Sequence, residues 1–358
     1  MSQLSVSTPG RICLFGEHLD YLGLPVIAAA INRRIRITGF HRNDSKVIIN
    51  LPDVNEREEF ELSGSSLIYT KPRDYFRSSY NVLVRHGYRF SKGVECEVRG
   101  NIPINSGTSS SSALVASWLH FLMRMSDRPR LLSRQEIGNL ANEAETREFG
   151  EPGGMMDHYS TAIGDVIYLE SEPEIEIEEL RPKLGAFVLG DSLEAKDTLT
   201  ILGRLRSGVN EIVKKIEALN PAFSLHTTDV LELDDYRPYL SDGENTLLEG
   251  TISNRDLLRE ARQELEAADL NHNRLGDLLN RHQANLRDAQ RISTPKIDRM
   301  LEAALNAGAL GGKINGSGGG GCMFAYAPGH AGAVAEAIER QGGAAYIIRV
   351  DEGTKVEE

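Results

Sequence analysis

The stretch Asn101-Ile-Pro-Ile-Asn-Ser-Gly-Thr-Ser-Ser-Ser-Ser-Ala-Leu-Val-Ala116 decides how this chain is read. Pro103 closes an extended segment, and Gly107 permits a tight, left-handed turn. From Ala113 onward, Leu114, Trp118, Leu119, Leu122 and Met125 recur with helical spacing. A glycine turn feeding a serine-rich helix start leaves backbone N–H groups without intrahelical partners, at the positive end of the helix dipole. Such an end is a site for phosphate. The serine hydroxyls add hydrogen bonds, or an oxygen ligand for a hard cation such as Mg²⁺. A flexible serine-rich linker is the competing reading, but linkers are not flanked by a proline-ended strand and an amphipathic helix.

Upstream of this stretch the chain reads as strands. Segments 12–15, 26–31, 35–40 and 46–51 are rich in β-formers and broken by Gly, Pro, Asn and Asp, and 57–62 offers another. Residues 74–86 have a helical pattern. Val94, Cys96 and Val98 alternate with Glu95, Glu97 and Arg99, the pattern of a half-buried strand leading into Pro103.

Downstream, Ser133 and Glu136 form a capping box that opens a helix over 133–149. Glu145 falls on its apolar stripe, where a carboxylate needs a partner. It is either an exposed helix residue or a cation ligand. Glycines at 150–154 end that helix, and 155–163 begins another with Asp157 in its first turn, where the dipole favours an ionised carboxylate. Asp157 therefore reads as a helix-start residue or a functional one. Strands follow at 165–170 and 185–190, with an acidic edge strand at 174–179 between them. Helical patterns cover 199–218, 244–267, 272–292 and 295–308. The chain closes strand, helix, strand at 322–327, 331–340 and 345–350. Strands early and helices late predict an α+β protein of two domains, 1–182 and 183–358, divided at Pro182.

Composition sets bounds. The chain has 358 residues and a net charge of −12, which argues against nucleic acid as a partner. Cys13, Cys96 and Cys322 are isolated and odd in number, as expected in a reducing cytoplasm, and offer no disulfide framework or zinc site. No apolar run near the start is long enough for a signal core or a membrane span, so no membrane association is expected. The sequence assigns no oligomeric state.

Two further stretches carry chemistry. Around residues 9–23 the chain gathers Arg11, Glu17, His18, Asp20 and Tyr21 about one strand and its turn, a set suited to gripping sugar hydroxyls or, alternatively, a polar turn with a local ion pair. Residues 311–321 are glycine-rich. Their GxGxxG match precedes a strand rather than opening a helix, so it is not a dinucleotide fingerprint. Close approach to a ligand or to another loop is the reason for so many glycines, and two such loops suggest a nucleotide held from two sides of a cleft.

In order, these stretches resemble the three motifs of the GHMP kinases. PGRICLFGEHLDY (9–21) resembles the galactokinase signature, and its LFGEH also resembles mevalonate kinase. PINSGTSSSSA (103–113) resembles the family's phosphate loop, and GGKINGSGGGGC (311–322) its third motif. AETREFGEPGGMMDHYS (144–160) has the galactokinase spacing of Glu and Asp, and 286–305 resembles the stretch before motif three. The resemblance runs from about residue 8 to 326. It implies the two-domain GHMP kinase fold with its active site between the domains, and an ATP- and Mg²⁺-dependent kinase acting on a small-molecule sugar at, as in galactokinase, the anomeric hydroxyl. A mevalonate kinase-like enzyme and a non-catalytic sugar and ATP sensor are the alternatives.

Residue by residue, the resemblance makes Asp157 the catalytic carboxylate and Arg11 its partner. Ser111, with Ser110 as the neighbouring choice, and Glu145 become the Mg²⁺ ligands. Glu17, His18, Asp20 and Gly154 become sugar contacts. Ser106, Gly107, Thr108, Ser109, Ser110, Ser111, Ser112, Gly318 and Gly319 become the ATP site. Three departures stand out: Cys13 in place of Asn, His158 in place of Gln, and a segment 190–198 without the galactokinase His and Tyr. There Asp191, Ser192, Lys196 and Asp197 form either a different sugar end or a plain polar loop.

Overall fold

In the computed structural model, residues 3–357 are described, except 105, 131, 152, 196 and 197. The larger of two sheets is built on β1 (Leu4–Phe15) and β2 (Val26–His41), antiparallel along most of their length. The two strands expected at 26–31 and 35–40 are one, because Asn32 to Arg34 stay extended. One half of β2 pairs with β5 (Val94–Gly100) and the other with β6 (Val166–Glu170). β5 pairs in parallel with β3 (Lys46–Leu51), which pairs with β4 (Glu56–Glu61), while β7 (Glu176–Leu180) borders β6. The edge strands β4 and β7 carry alternating acidic residues, which blunts pairing with another chain.

The smaller sheet is antiparallel, in the order β11 (Ala344–Ile348), β8 (Phe187–Asp191), β10 (Cys322–Tyr326), β9 (Gly311–Ile314). β9 was not foreseen in the sequence, because a strand opening Gly-Gly lacks the β-branched signal. Short β12 (Lys355–Val356) returns to the first sheet beside β1.

Helices α1 (Tyr75–Arg85), α2 (Ser110–Met125), α3 (Arg134–Asn142) and α4 (Met156–Ile163) cover one face of the large sheet. Trp118 of α2 is fully buried there and donates its indole N–H to Phe76 O at 3.0 Å. On the opposite face, Ile12, Leu14 and Ile27 share a core with Leu257 and Leu258 of α6 (Asp242–Glu266), Leu275 and Leu278 of α7 (His272–Asp288) and Phe324 of the second sheet. α5 (Thr198–Glu217), α8 (Pro295–Asn306) and α9 (Ala331–Arg340) complete the chain. The fold is α+β, as expected. Among the described residues, no helix is long and apolar enough to cross a membrane.

Candidate active site

β1 ends at Phe15, and the turn that follows carries Glu17, His18, Asp20 and Tyr21. Behind it, α2 begins at Ser110, three residues earlier than the apolar spacing suggested. Ser109 stands at its N-cap with φ +58° and gives no side-chain cap, so the first-turn amides stay open to an anion. Ser109 to Ser112 line a cavity of about 210 Å³ together with Arg11, Glu17, His18, Asp20, Glu145, Gly154 and Asp157.

At its centre Arg11 donates to Asp157 Oδ1 twice, from Nε at 2.9 Å and Nη2 at 2.6 Å, and from Nη1 to Gly107 O. Burial alone would raise the Asp157 pKa. The charges of Arg11 and His158 outweigh it and hold the carboxyl below its usual range. Oδ2 is left outside the Arg11 pair.

Glu145 reaches the cavity because α3 gives way to a π-helical turn, Glu143–Arg147. Its Oε2 is buried without a hydrogen bond, 3.0 Å from His158 Nε2 but not aligned with it. A buried carboxylate oxygen that accepts no hydrogen bond, in a cavity it shares with Ser110 and Ser111, suits a hard cation that keeps most of its waters, and Glu145 with Ser111 or Ser110 fits Mg²⁺. Among the described residues no cluster of three His, Cys, Asp or Glu forms a richer metal site.

Asp20 is held by the amides of Tyr21, at 2.9 Å, and Met156. Burial first, and then the Asp157 charge, push its pKa up to about 6. Gly154 lies so close that a Cβ there would overlap the Asp20 carboxylate, 1.9 Å from Oδ2. Ser317 O can only accept, so in the neutral ring His18 donates from Nε2 at 3.2 Å and accepts the Tyr21 phenol at Nδ1, 2.8 Å away. Burial and the Asp20 charge raise the Tyr21 pKa, which keeps it a phenol.

Several expected contacts are placed differently. Glu17 is 1% exposed, paired with Lys313, and accepts Gly316 N at 2.9 Å, so its carboxylate braces motif three instead of standing free for a sugar. A Cβ on Gly318 or Gly319 would meet Ile292 or Ile201, and neither glycine is among the residues lining the cavity. Ser106 and Thr108 hydroxyls turn back to Pro103 O at 2.8 and 3.4 Å and brace the loop. The glycines of motif three serve an approach to another loop. Gly316 (φ +76°) and Gly321 (φ +72°) lie against Gly107 O and Ser106 O, where a Cβ would come within 2.8 and 2.6 Å. Asp191 and Ser192 bond the amides of Leu193 and Glu194, the plain-loop reading, while Lys196 and Asp197 lie outside the described residues.

Sequence reasoning missed Arg73 and Tyr75 on the loop before α1 and at its start, and Thr198 and Leu202 of α5, which also line the cavity. Arg73 pairs with Glu151 at 2.7 Å across its rim. Only folding brings these together.

Known proteins resemble this chain in sequence and in fold. Profiles described as "GHMP kinases N terminal domain", "GHMP kinases C terminal" and "Galactokinase galactose-binding signature" match residues 74–165, 259–344 and 2–39. The chain is 29% identical to a mevalonate kinase of Thermococcus gammatolerans over 98% of both chains. It is 28% identical to a galactokinase of Mannheimia succiniciproducens over 91% of this chain and 86% of that one. The solved structure of Lactococcus lactis galactokinase complexed with galactose superposes with a TM-score of 0.85 at 23% identity, over 99% of this chain and 95% of that one. With both domain profiles, the galactose-binding signature and the fold in agreement, the chain belongs to the GHMP kinases.

Proposed function

We propose that the protein is an ATP-dependent kinase that phosphorylates a hydroxyl of a monosaccharide or sugar derivative, the anomeric one as in galactokinase, with Mg²⁺ as cofactor. One observation carries the choice of acceptor: beside Asp157, Asp20 and Tyr21 add two hydrogen-bond acceptors to the cavity wall. Asp20 presents a carboxylate, and Tyr21, whose O–H donates to His18, presents the lone pairs of its oxygen. Such a wall pairs with the O–H groups of a polyol. A substrate carboxylate placed there would leave buried acceptors facing an acceptor, at about 1–3 kcal/mol each.

The residues divide the work. The α2 amides and Ser109 to Ser112 hold the ATP phosphates. Glu145 and Ser111 or Ser110 hold Mg²⁺, which supplies charge neutralisation at those phosphates when bound. Asp157, ionised, orients the accepting hydroxyl and takes its proton. The hydroxyl oxygen forms the new P–O bond to the γ-phosphorus while the bond to the β-phosphate oxygen breaks, leaving ADP and the phosphate ester. Arg11 steadies the charge of the transferring group. The domain division near 182, with 349–357 returning to the first sheet, and a cytoplasmic location consistent with three buried thiols belong to the same proposal.

The mevalonate kinase relative at 29% identity favours a second reading, mevalonate as acceptor. A coupled ADP-release assay across hexoses, pentoses, uronic acids, heptose phosphates, mevalonate and homoserine separates the two. Sugar turnover that disappears in Asp157→Ala is expected. Turnover of mevalonate alone refutes the sugar assignment, and sugar binding without ADP release from any ligand points to the sensor.

A further inference from the structure

Lys313 is a charged side chain with no solvent exposure. Its ammonium has three N–H donors and three acceptors: Cys13 O and Ile314 O, each at 3.0 Å, and the Glu17 carboxylate. The other Glu17 oxygen takes Gly316 N. Two residues along, Asn315 is equally buried. Its Oδ1 accepts Cys13 N at 2.9 Å, and its Nδ2 donates to Gly107 O at 2.8 Å. Gly107 O is the carbonyl that also receives Arg11. One continuous buried network therefore joins the acceptor turn, β9, the phosphate loop and the Arg11–Asp157 pair.

Neither Lys313 nor Asn315 lines the cavity. A buried ion pair is a poor source of stability, because desolvation offsets most of its attraction. What the network does provide is fixed geometry between elements of two sheets.

We propose that Lys313 and Asn315 are positioning residues. From the second sheet they lock the acceptor turn, through Glu17, and the phosphate loop, through Gly107, onto one frame, so that the accepting hydroxyl and the transferring phosphate meet at a set distance. This rests on the kinase reading above. A displacement of about 1 Å costs roughly 100-fold in rate, so the effect belongs in kcat.

The test uses two variants of the full chain. Asn315→Leu, close in size, is expected to lower kcat about 100-fold and to weaken MgADP binding, measured by calorimetry, because Gly107 loses one of its two donors. The double variant Lys313→Met/Glu17→Leu replaces the ion pair with apolar groups and is expected to stay folded with a modestly lower Tm, because Gly316 N loses its acceptor. Its acceptor KM rises and its kcat falls, while MgADP affinity holds. Wild-type kcat and KM in a folded double variant would show a purely structural pair and overturn the proposal, as would unchanged turnover and MgADP affinity in Asn315→Leu. If the wild type turns over no acceptor, the proposed function fails instead, and the MgADP arm still reads the Asn315 lock.

Discussion

Replacing Arg11 with methionine keeps the aliphatic stem of a residue that is 3% exposed and removes its guanidinium. Asp157 loses two donors, at 2.9 and 2.6 Å, and Gly107 O loses one. At 2.6 Å and an effective dielectric near 20, the bare attraction is about 6 kcal/mol. Desolvation returns most of that, and charge-assisted hydrogen bonds are worth about 1.5–3 kcal/mol net. The low end applies here, since the Asp157 side chain is 37% exposed and solvent screens the pair. The rate should suffer more, by about 10²–10³ in kcat, because a preorganised cation is lost where charge develops. The pH profile has a definite sign. Arg11 leads the influences that hold the Asp157 pKa down against burial, so without it the pKa rises, and the acid limb of kcat/KM moves to higher pH. A depressed carboxyl stabilises the fold above its unfolded pKa of about 3.9, and this is lost as pH falls through the folded pKa. The stability gap between wild type and variant should therefore be open at neutral pH and close in acid. Direct ADP quantitation and thermal melts carried from pH 9 down to about pH 3, below the ordinary carboxylate pKa, read both effects. A folded variant whose acid limb coincides with that of the wild type would refute the assignment of Asp157 and Arg11 as a pair.

Glu145→Gln should raise the Mg²⁺ concentration for half-maximal rate by about tenfold or more, the scale on which metal sites respond to lost partners; a Mg²⁺ titration of initial rate checks it. Asp20, with its pKa pushed up to about 6, should bind acceptor less well as pH falls through 6, and Asp20→Asn should flatten that dependence. Because this pKa is raised, the stability it contributes is full below about pH 3.9 and lost as pH rises through 6. Asp20→Asn should therefore raise Tm at pH 7.5 but not at pH 4. Gly316→Ala, at φ +76° with its Cβ 2.8 Å from Gly107 O, should cost about 1–3 kcal/mol in denaturant unfolding and weaken MgADP binding.

Much of this protein was legible in its sequence, because the signals were local. Alternation at 94–99, the Ser133–Glu136 capping box and the period of α2 each depend on neighbours a few residues apart, and each gave an element in place. Glycine and serine at 106–112 declared a helix start open to phosphate, since backbone conformation and dipole are properties of the segment itself. Glu145 was conspicuous on its apolar stripe, but the π-helical turn that delivers it to the cavity was not, because that turn depends on what packs beside it. β9 was invisible for a related reason: Gly311 and Gly312 form a strand only with β10 and α7 in place. Glu17 was only half legible. Its position in the turn suited a sugar, and it does line the cavity, but the partner of its carboxylate, Lys313, lies 296 residues away. Which charges are paired, which acceptors still face the cavity and which glycines meet another backbone are set by contacts between distant segments. A linear sequence carries the chemistry of each group, but only the tertiary structure brings its partner within hydrogen-bond reach.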